Sequence, residues 1–181
     1  MLETLRNAFK IKDIRKRIIF TFLMLIVIRI GSELPIPGVN REMIANWFAS
    51  QTADGMGFFD AITGGSLYNM SIFALNITPY ITSSIIMQLL TIAIPKLEEM
   101  QRDGEEGRKK IAEITRYVTV VLALIESVAM TIGFKRSGYL EYNDGAMGVL
   151  SIILVVFALT AGSAVLMWIG ERITEKGVGN G

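Results

Sequence analysis

The sequence contains no cysteine and no histidine. The first absence excludes a disulfide framework, a thiolate nucleophile and cysteine metal sites, and it leaves the redox compartment unread. The second removes the commonest metal ligand and the side chain most used as a general base. Charge is also sparse. Asp, Glu, Lys and Arg make up 19% of the 181 residues, where about 25% is usual in soluble domains. The 18 basic and 17 acidic side chains nearly cancel, leaving a net charge of +1, so there is no basic field and no nucleic-acid site is expected. Hydrophobic residues take up 51% of the chain, which points to a lipid environment rather than a soluble globule.

A hydrocarbon core of about 30 Å is crossed by about 20 mainly apolar residues in helix. Four stretches come close to that pattern: 18–34, interrupted only by Arg29 and Glu33; 61–95, with no charge; 117–134, with only Glu126; and 145–170, with none. They predict spans over about 18–34, 71–94, 117–134 and 146–170. The basic Arg15, Lys16 and Arg17 ahead of 18–28 resemble the start of a secretory leader. No small-residue cleavage site follows, and the run passes into Pro35, Ile36, Pro37 and Gly38, so the stretch reads as the first span. Before it, Leu2, Leu5, Phe9 and Ile14 lie at near-helical spacing among basic residues. Residues 1–17 therefore read as an amphipathic segment on the membrane surface or, equally, as a loose basic leader.

Lys and Arg number six in 1–17, six in 96–116 and two after Gly170, against one in 31–60 and two in 135–144. The positive-inside rule then places both termini and the 95–116 loop in the cytoplasm.

The second apolar stretch is the irregular one. As a single helix, 61–95 would extend about 52 Å, well beyond the hydrocarbon thickness. Gly64, Gly65 and Pro79 offer places to break it, which predicts a re-entrant element over 58–69 followed by the 71–94 span. Small polar residues such as Ser66, Asn69, Ser71, Asn76, Thr82 and Gln88 run through it. Irregular backbone at membrane depth is tolerated where it is buried in protein or borders water, so an aqueous path is expected here. Ile77, Ile81 and Ile85 recur every four residues and share one helical stripe. That stripe faces lipid or a neighbouring helix, or else forms a hydrophobic constriction that gates by dewetting.

Two ionisable residues fall inside spans. Arg29, near a span end, is placed to snorkel, whereas Glu126 near the middle of the third span is expected to be protonated, hydrogen-bonded or turned towards a polar cavity. Ala158, Ala161, Gly162, Ser163 and Ala164 form a small-residue patch that permits the close approach of another helix, a packing feature. The 104–110 stretch lacks the lead and ending of a phosphate loop and reads as a solvated loop. Ser-His and zinc chemistry need the missing histidine, and every Asp lies outside the predicted span cores, so no catalytic site, metal or cofactor is expected.

Five runs occur in order: RIGSELPIPG at 29–38, TGGS at 63–66, SIFALNITPYITSSIIMQLL at 71–90, GEEGRKKIAEITR at 104–116 and WIGERITEKGVGNG at 168–181. Together they resemble the SecY family, the channel subunits of the bacterial Sec translocon. The resemblance implies an all-α integral membrane protein of ten spans in two inverted halves around an hourglass pore that opens across the membrane and sideways to lipid. This chain resembles part of the N-terminal half: four transmembrane helices plus a short re-entrant plug helix. By resemblance the plug includes Phe58, Phe59, Ile62, Thr63, Gly64, Gly65, Ser66 and Leu67. Ile77 and Ile81 correspond to the pore ring, and Thr82, Ser83, Ile85 and Glu126 to the lateral gate, with Glu126 where many bacterial relatives have Gln.

The implied activity is conduction of unfolded, signal-sequence-bearing polypeptides across or into the cytoplasmic membrane of a bacterium. The implied partners are SecE and SecG in the lipid bilayer and the SecA ATPase or a ribosome on the cytoplasmic side. With about four of ten spans present, the chain is expected to be a partial or truncated form, or a piece that needs its complement. Two other classes remain open on the residues alone: half of a secondary solute transporter, whose sites also sit at broken helices, and a structural membrane fragment without its own pathway.

Overall fold

A computed structural model describes residues 11–51, 65–142 and 144–179. Six helices carry the described chain: α1 (Lys12–Ser32), α2 (Arg41–Gln51), α3 (Thr78–Ala93), α4 (Pro95–Arg102), α5 (Glu105–Ser137) and α6 (Gly145–Lys176). Strand pairing among the described residues is limited to two isolated bridges, Pro35 with Ser71 and Val39 with Leu140.

α5 and α6 are each long and apolar enough to cross a membrane, and α3 with α4 meets the same measure only as a pair bent by 101°. α1 has the length, but Lys12, Asp13, Arg15, Lys16 and Arg17 crowd one end and Arg29 interrupts the other. Its apolar side chains are poorly covered: Phe22, Leu23, Ile26 and Ile30 are exposed, Ile18, Met24 and Ile28 are half-buried, and only Gly31 and Ser32 are buried. A helix apolar on every side belongs in a nonpolar surrounding.

Several boundaries differ from those expected. Of the segment expected over 1–17, residues 1–10 lie outside the described residues, and Lys12 to Arg17 form the first turns of α1. The 95–116 stretch, expected to be a loop, is helical apart from one turn at 103–104. Two glycines explain that shape. Gly104 takes a left-handed φ of 75° at the turn, and Gly107 lets the Met100 carbonyl of α4 lie where any side chain would stand. Glu105 and Glu106 then occupy the first turn of α5, where the helix dipole favours negative charge.

At its far end α5 closes with Gly138 at φ 74°, where the Tyr139 amide reaches back to the Phe134 carbonyl over 2.9 Å. This left-handed cap turns the chain sharply towards α6.

α5 and α6 pack through small residues. Thr115, Thr119, Ala123, Ser127 and Thr131 recur every four residues along α5 and are all buried. Their hydroxyls are satisfied within the helix, as in Thr119 to the Thr115 carbonyl at 2.7 Å and Thr131 to the Ser127 carbonyl at 2.6 Å. Such back-bonding lets a polar stripe be buried without unpaired donors. One hydroxyl of this stripe also reaches across to α6, Ser127 Oγ to Thr160 Oγ1 at 3.0 Å.

The apolar core lies at one end of the bundle, where Ile36, Ile44, Met70, Ala74, Leu140, Val155 and Leu159 cluster. The link after α1 is threaded between two other segments there. Ile36 donates to Met70 and Ile72 to Leu34, while Asn40 donates to Tyr139 and Glu141 to Gly38. At the opposite end the start of α1 meets the end of α6: the Val178 amide donates to Thr21 Oγ1 over 3.0 Å, and Arg17 to the Gly177 carbonyl over 3.4 Å. The first and last described helices thus begin and finish on the same side.

Candidate functional site

The irregular segment before α3 is the centre of the candidate site. Residues 65–77 form successive turns, so the helix expected from 71 starts only at Thr78. The cause lies in Asn76, whose φ is 55°. Asn is among the few residues that adopt this conformation readily, and here its Oδ1 accepts the next amide, that of Ile77, at 2.9 Å. Pro79 follows in the first turn of α3, where its missing N–H costs no hydrogen bond.

The polar groups of irregular backbone need partners in protein or water, and here the neighbouring helices cover it. The Phe73 ring occupies the space that a side chain at Gly31 would take, and Gly162 admits the Ile72 carbonyl in the same way. Ser163 donates to the Asn76 carbonyl over 3.5 Å. The small-residue patch of α6 thus receives a turn rather than another helix.

Beyond Asn76, α3 has two faces. Ile81, Ile85, Leu89 and Ile92 form a row that is 51%, 52%, 62% and 80% exposed. Ile77 stands half-buried at its head, as the residue that caps the helix. Ser83 is on the other face, fully buried, with its hydroxyl donated to the Thr115 carbonyl at 2.9 Å. Of the residues assigned by resemblance to the lateral gate, Ile85 is on the open row, Thr82 is half-buried at its flank, and Ser83 is a packing contact with α5.

Glu126 is half-buried and forms no hydrogen bond or ion pair within the described residues. It lies eleven residues beyond Thr115 on α5, about 16 Å along the axis at 1.5 Å per residue. The Ser83–Thr115 contact sets the register, so Glu126 is not brought beside Thr82.

Of the plug assignments, Phe58, Phe59, Ile62, Thr63 and Gly64 lie outside the described residues. Gly65, Ser66 and Leu67 are described and lie in turns, where a short helix over 58–69 was expected. Gly65 has φ 82°, Ser66 is buried and accepts the Ser71 amide at 2.9 Å, and Leu67 packs against the core.

At the other end, a cavity of ≈320 Å³ opens between α3, α4, α5 and α6, with Ser84, Gln88 and Thr91 on one wall and Arg108 and Glu171 on the others. These three polar residues of α3 therefore border a recess, whereas Thr78, Thr82 and Ser83 do not. Beside it Arg116 Nε donates to Glu171 Oε1 over 2.7 Å, tying α5 to α6. The hydrogen bond that Arg116 donates to Glu171 raises the Arg116 pKa above its ordinary value, against a smaller opposing effect of burial.

Some site residues were not legible as such in the sequence. Gly31 and Phe73 form a close contact across 42 positions, which helical periodicity does not report. Glu33, Asn69 and Arg41 form a hydrogen-bonded chain across three segments; Asn69 stood out only as one of many small polar residues. No group of three or more carboxylates converges among the described residues to hold a metal.

The family model for SecY matches residues 71–181. The chain is also similar over its whole length to proteins named protein translocase subunit SecY: 48% identical to that of Halalkalibacterium halodurans, 49% to that of Bacillus subtilis and 44% to that of Thermotoga maritima. It spans 41%, 41% and 43% of the lengths of these relatives, aligning in full with a part of each.

Proposed function

This chain belongs to the SecY family of membrane-embedded proteins, and on that premise we propose that it forms one wall of a channel that conducts unfolded polypeptides. The observation that carries the reading is the open row of α3. A covered, irregular segment leads into a helix that leaves Ile81, Ile85, Leu89 and Ile92 half-exposed or more among the described residues.

Conduction needs no bond-making group. It needs a path wide enough for an extended chain and a seal when that chain is absent. Branched apolar side chains provide such a seal because water is expelled from a narrow greasy constriction, and ions do not cross a dry gap. Ile77 and Ile81 are the constriction residues in this reading, and Thr82 and Ile85 border the sideways opening to lipid. Ser83 holds α3 on α5. Glu126 lies on the same wall, further towards the end of the bundle that carries the core. An opposite wall, supplied by another part of the protein or another chain, completes the path.

The topology proposed is four crossings, with α1 the first, the 65–77 turns and α3 together the second, and α5 and α6 the last two. The meeting of Thr21 with Val178 supports an even number of crossings, and the basic residues at that end support its facing the cytoplasm of a bacterium. SecE and SecG are the proposed membrane companions, with SecA or a ribosome as the source of the driving force.

The test is site-directed crosslinking in a full-length counterpart. With Ile81→Cys carrying a short crosslinker, a preprotein stalled in transit should be captured, while Val121→Cys on the outer face of α5 should capture lipid or nothing. Capture at Val121 but not at Ile81 would refute the proposed wall.

A further inference from the structure

Asn69 lies between two opposite charges from separate segments. Arg41 Nη2 donates to Asn69 Oδ1 over 2.7 Å, and Asn69 Nδ2 donates to Glu33 Oε2 over 3.0 Å. A guanidinium can only donate and a carboxylate only accept, so the partners dictate which end of the amide faces which. Glu33 caps the end of α1 and Arg41 is the first residue of α2. The amide therefore closes the link between them from outside.

Next to it is a backbone that needs holding. Met70 has φ 42°, a region that non-glycine residues other than Asn and Asp rarely enter and that persists only when the surroundings enforce it. Its carbonyl accepts the Ile36 amide at 2.9 Å, and the Ile72 amide donates to Leu34 at 3.1 Å. The Asn69 side chain and these two backbone bonds flank Met70 on either side, and six residues later the chain reaches Asn76 and the start of α3.

We propose that Asn69 is a positioning residue, an amide relay between Glu33 and Arg41 that pins the 65–72 turns and so sets where α3 begins. Its bearing on conduction rests on the reading of Ile77 and Ile81 given above; the relay itself does not.

An amide relay has a property that an ion pair or a packing contact lacks. Turned through 180°, it serves the reversed charges equally well. Glu33→Arg alone or Arg41→Glu alone leaves two like charges facing one amide, and one end of the relay is lost. Glu33→Arg with Arg41→Glu restores both ends after the amide turns.

The experiment is hydrogen exchange of the full chain in lipid nanodiscs, followed at the Ile36 and Ile72 amides. Each single reversal should speed exchange there by about fivefold, the scale of a surface charge contact, and the double reversal should return it to the parent rate. A gentler pair gives an independent check. Asn69→Asp keeps the Arg41 contact but repels Glu33 and should speed exchange, and adding Glu33→Gln, whose amide donates to the new carboxylate, should slow it again. Single reversals without effect, or a double reversal that exchanges as fast as the singles, would overturn the proposal. Ion conductance of the same variants in a full-length counterpart separates the two readings. Faster exchange with an unchanged leak supports the relay and counts against Ile77 and Ile81 as the constriction.

Discussion

Ser83 and Thr119 both donate to the carbonyl oxygen of Thr115, over 2.9 Å and 2.7 Å. The first bond joins α3 to α5, and the second is internal to α5. The pair holds the back of α3 against a helix while its front stays open. Ser83→Ala removes one of two side-chain donors and leaves the carbonyl satisfied by Thr119 and by the helix bond, so it should cost no more than about 1 kcal/mol. Ser83→Leu must part the helices and should cost about 1–3 kcal/mol. Thermal midpoints in detergent provide the check, and a leucine variant as stable as the parent would contradict the packing.

The contact between Arg116 and Glu171 ties α5 to α6 at the opposite end of the bundle from the core, with the two side chains 46% and 21% exposed. Partial exposure limits its worth. Glu171→Gln is expected to lower stability by up to about 1 kcal/mol, and the difference from the parent should shrink as salt is raised, because screening reaches exposed pairs first. A deficit that is large and insensitive to salt would mean that Glu171 acts through packing.

Composition and charge placement made the helical membrane character legible, because a helix in lipid must present apolar side chains over its whole crossing. α5 and α6 carry that signal in full. That the second segment is broken was legible from its length, although Pro79, expected as a break, stands in the first turn of α3. Its true start at Thr78 was not legible, because that boundary depends on the left-handed backbone of Asn76 and on the space that Gly162 leaves for Ile72. The candidate site was legible in part. A four-residue stripe placed Ile81 and Ile85 on one face, but the same period cannot tell which face a neighbour covers. Ser83 is adjacent to Thr82 in sequence, yet only the contact with Thr115 removes it from the open side. The helical character of 95–116 was hidden by its charges, which resemble those of a loop until Gly107 is seen against Met100.

Ile77 and Ile81 give a prediction about leakage. Ile81 is half-exposed, so its replacement forms no cavity inside this chain, and Ile81→Ser should leave thermal stability within about 0.5 kcal/mol of the parent. In a full-length counterpart, Ile77→Ser with Ile81→Ser should raise the resting ion conductance, because hydroxyls keep a narrow gap wet. Single-channel or vesicle-flux recordings decide it. A tight variant would remove these two residues from the seal.

Two glycines in neighbouring helices should respond in opposite directions to the same substitution. Gly133 in α5 has open space around the position of a Cβ, whereas Gly162 in α6 has the Ile72 carbonyl there, which is backbone and cannot turn aside. Gly133→Ala should stabilise by up to about 1 kcal/mol, the difference in helix propensity between the two residues. Gly162→Ala gains the same propensity but must push the 72–76 turn off α6, at a cost of about 1–3 kcal/mol typical of overpacking. The displacement would also pull Asn76 from Ser163 and shift the start of α3. Gly162→Ala should therefore lower the thermal midpoint and, in a full-length counterpart, raise resting conductance, while Gly133→Ala raises the midpoint and leaves conductance unchanged. Equal behaviour of the two variants would show that α6 does not set the position of the turn.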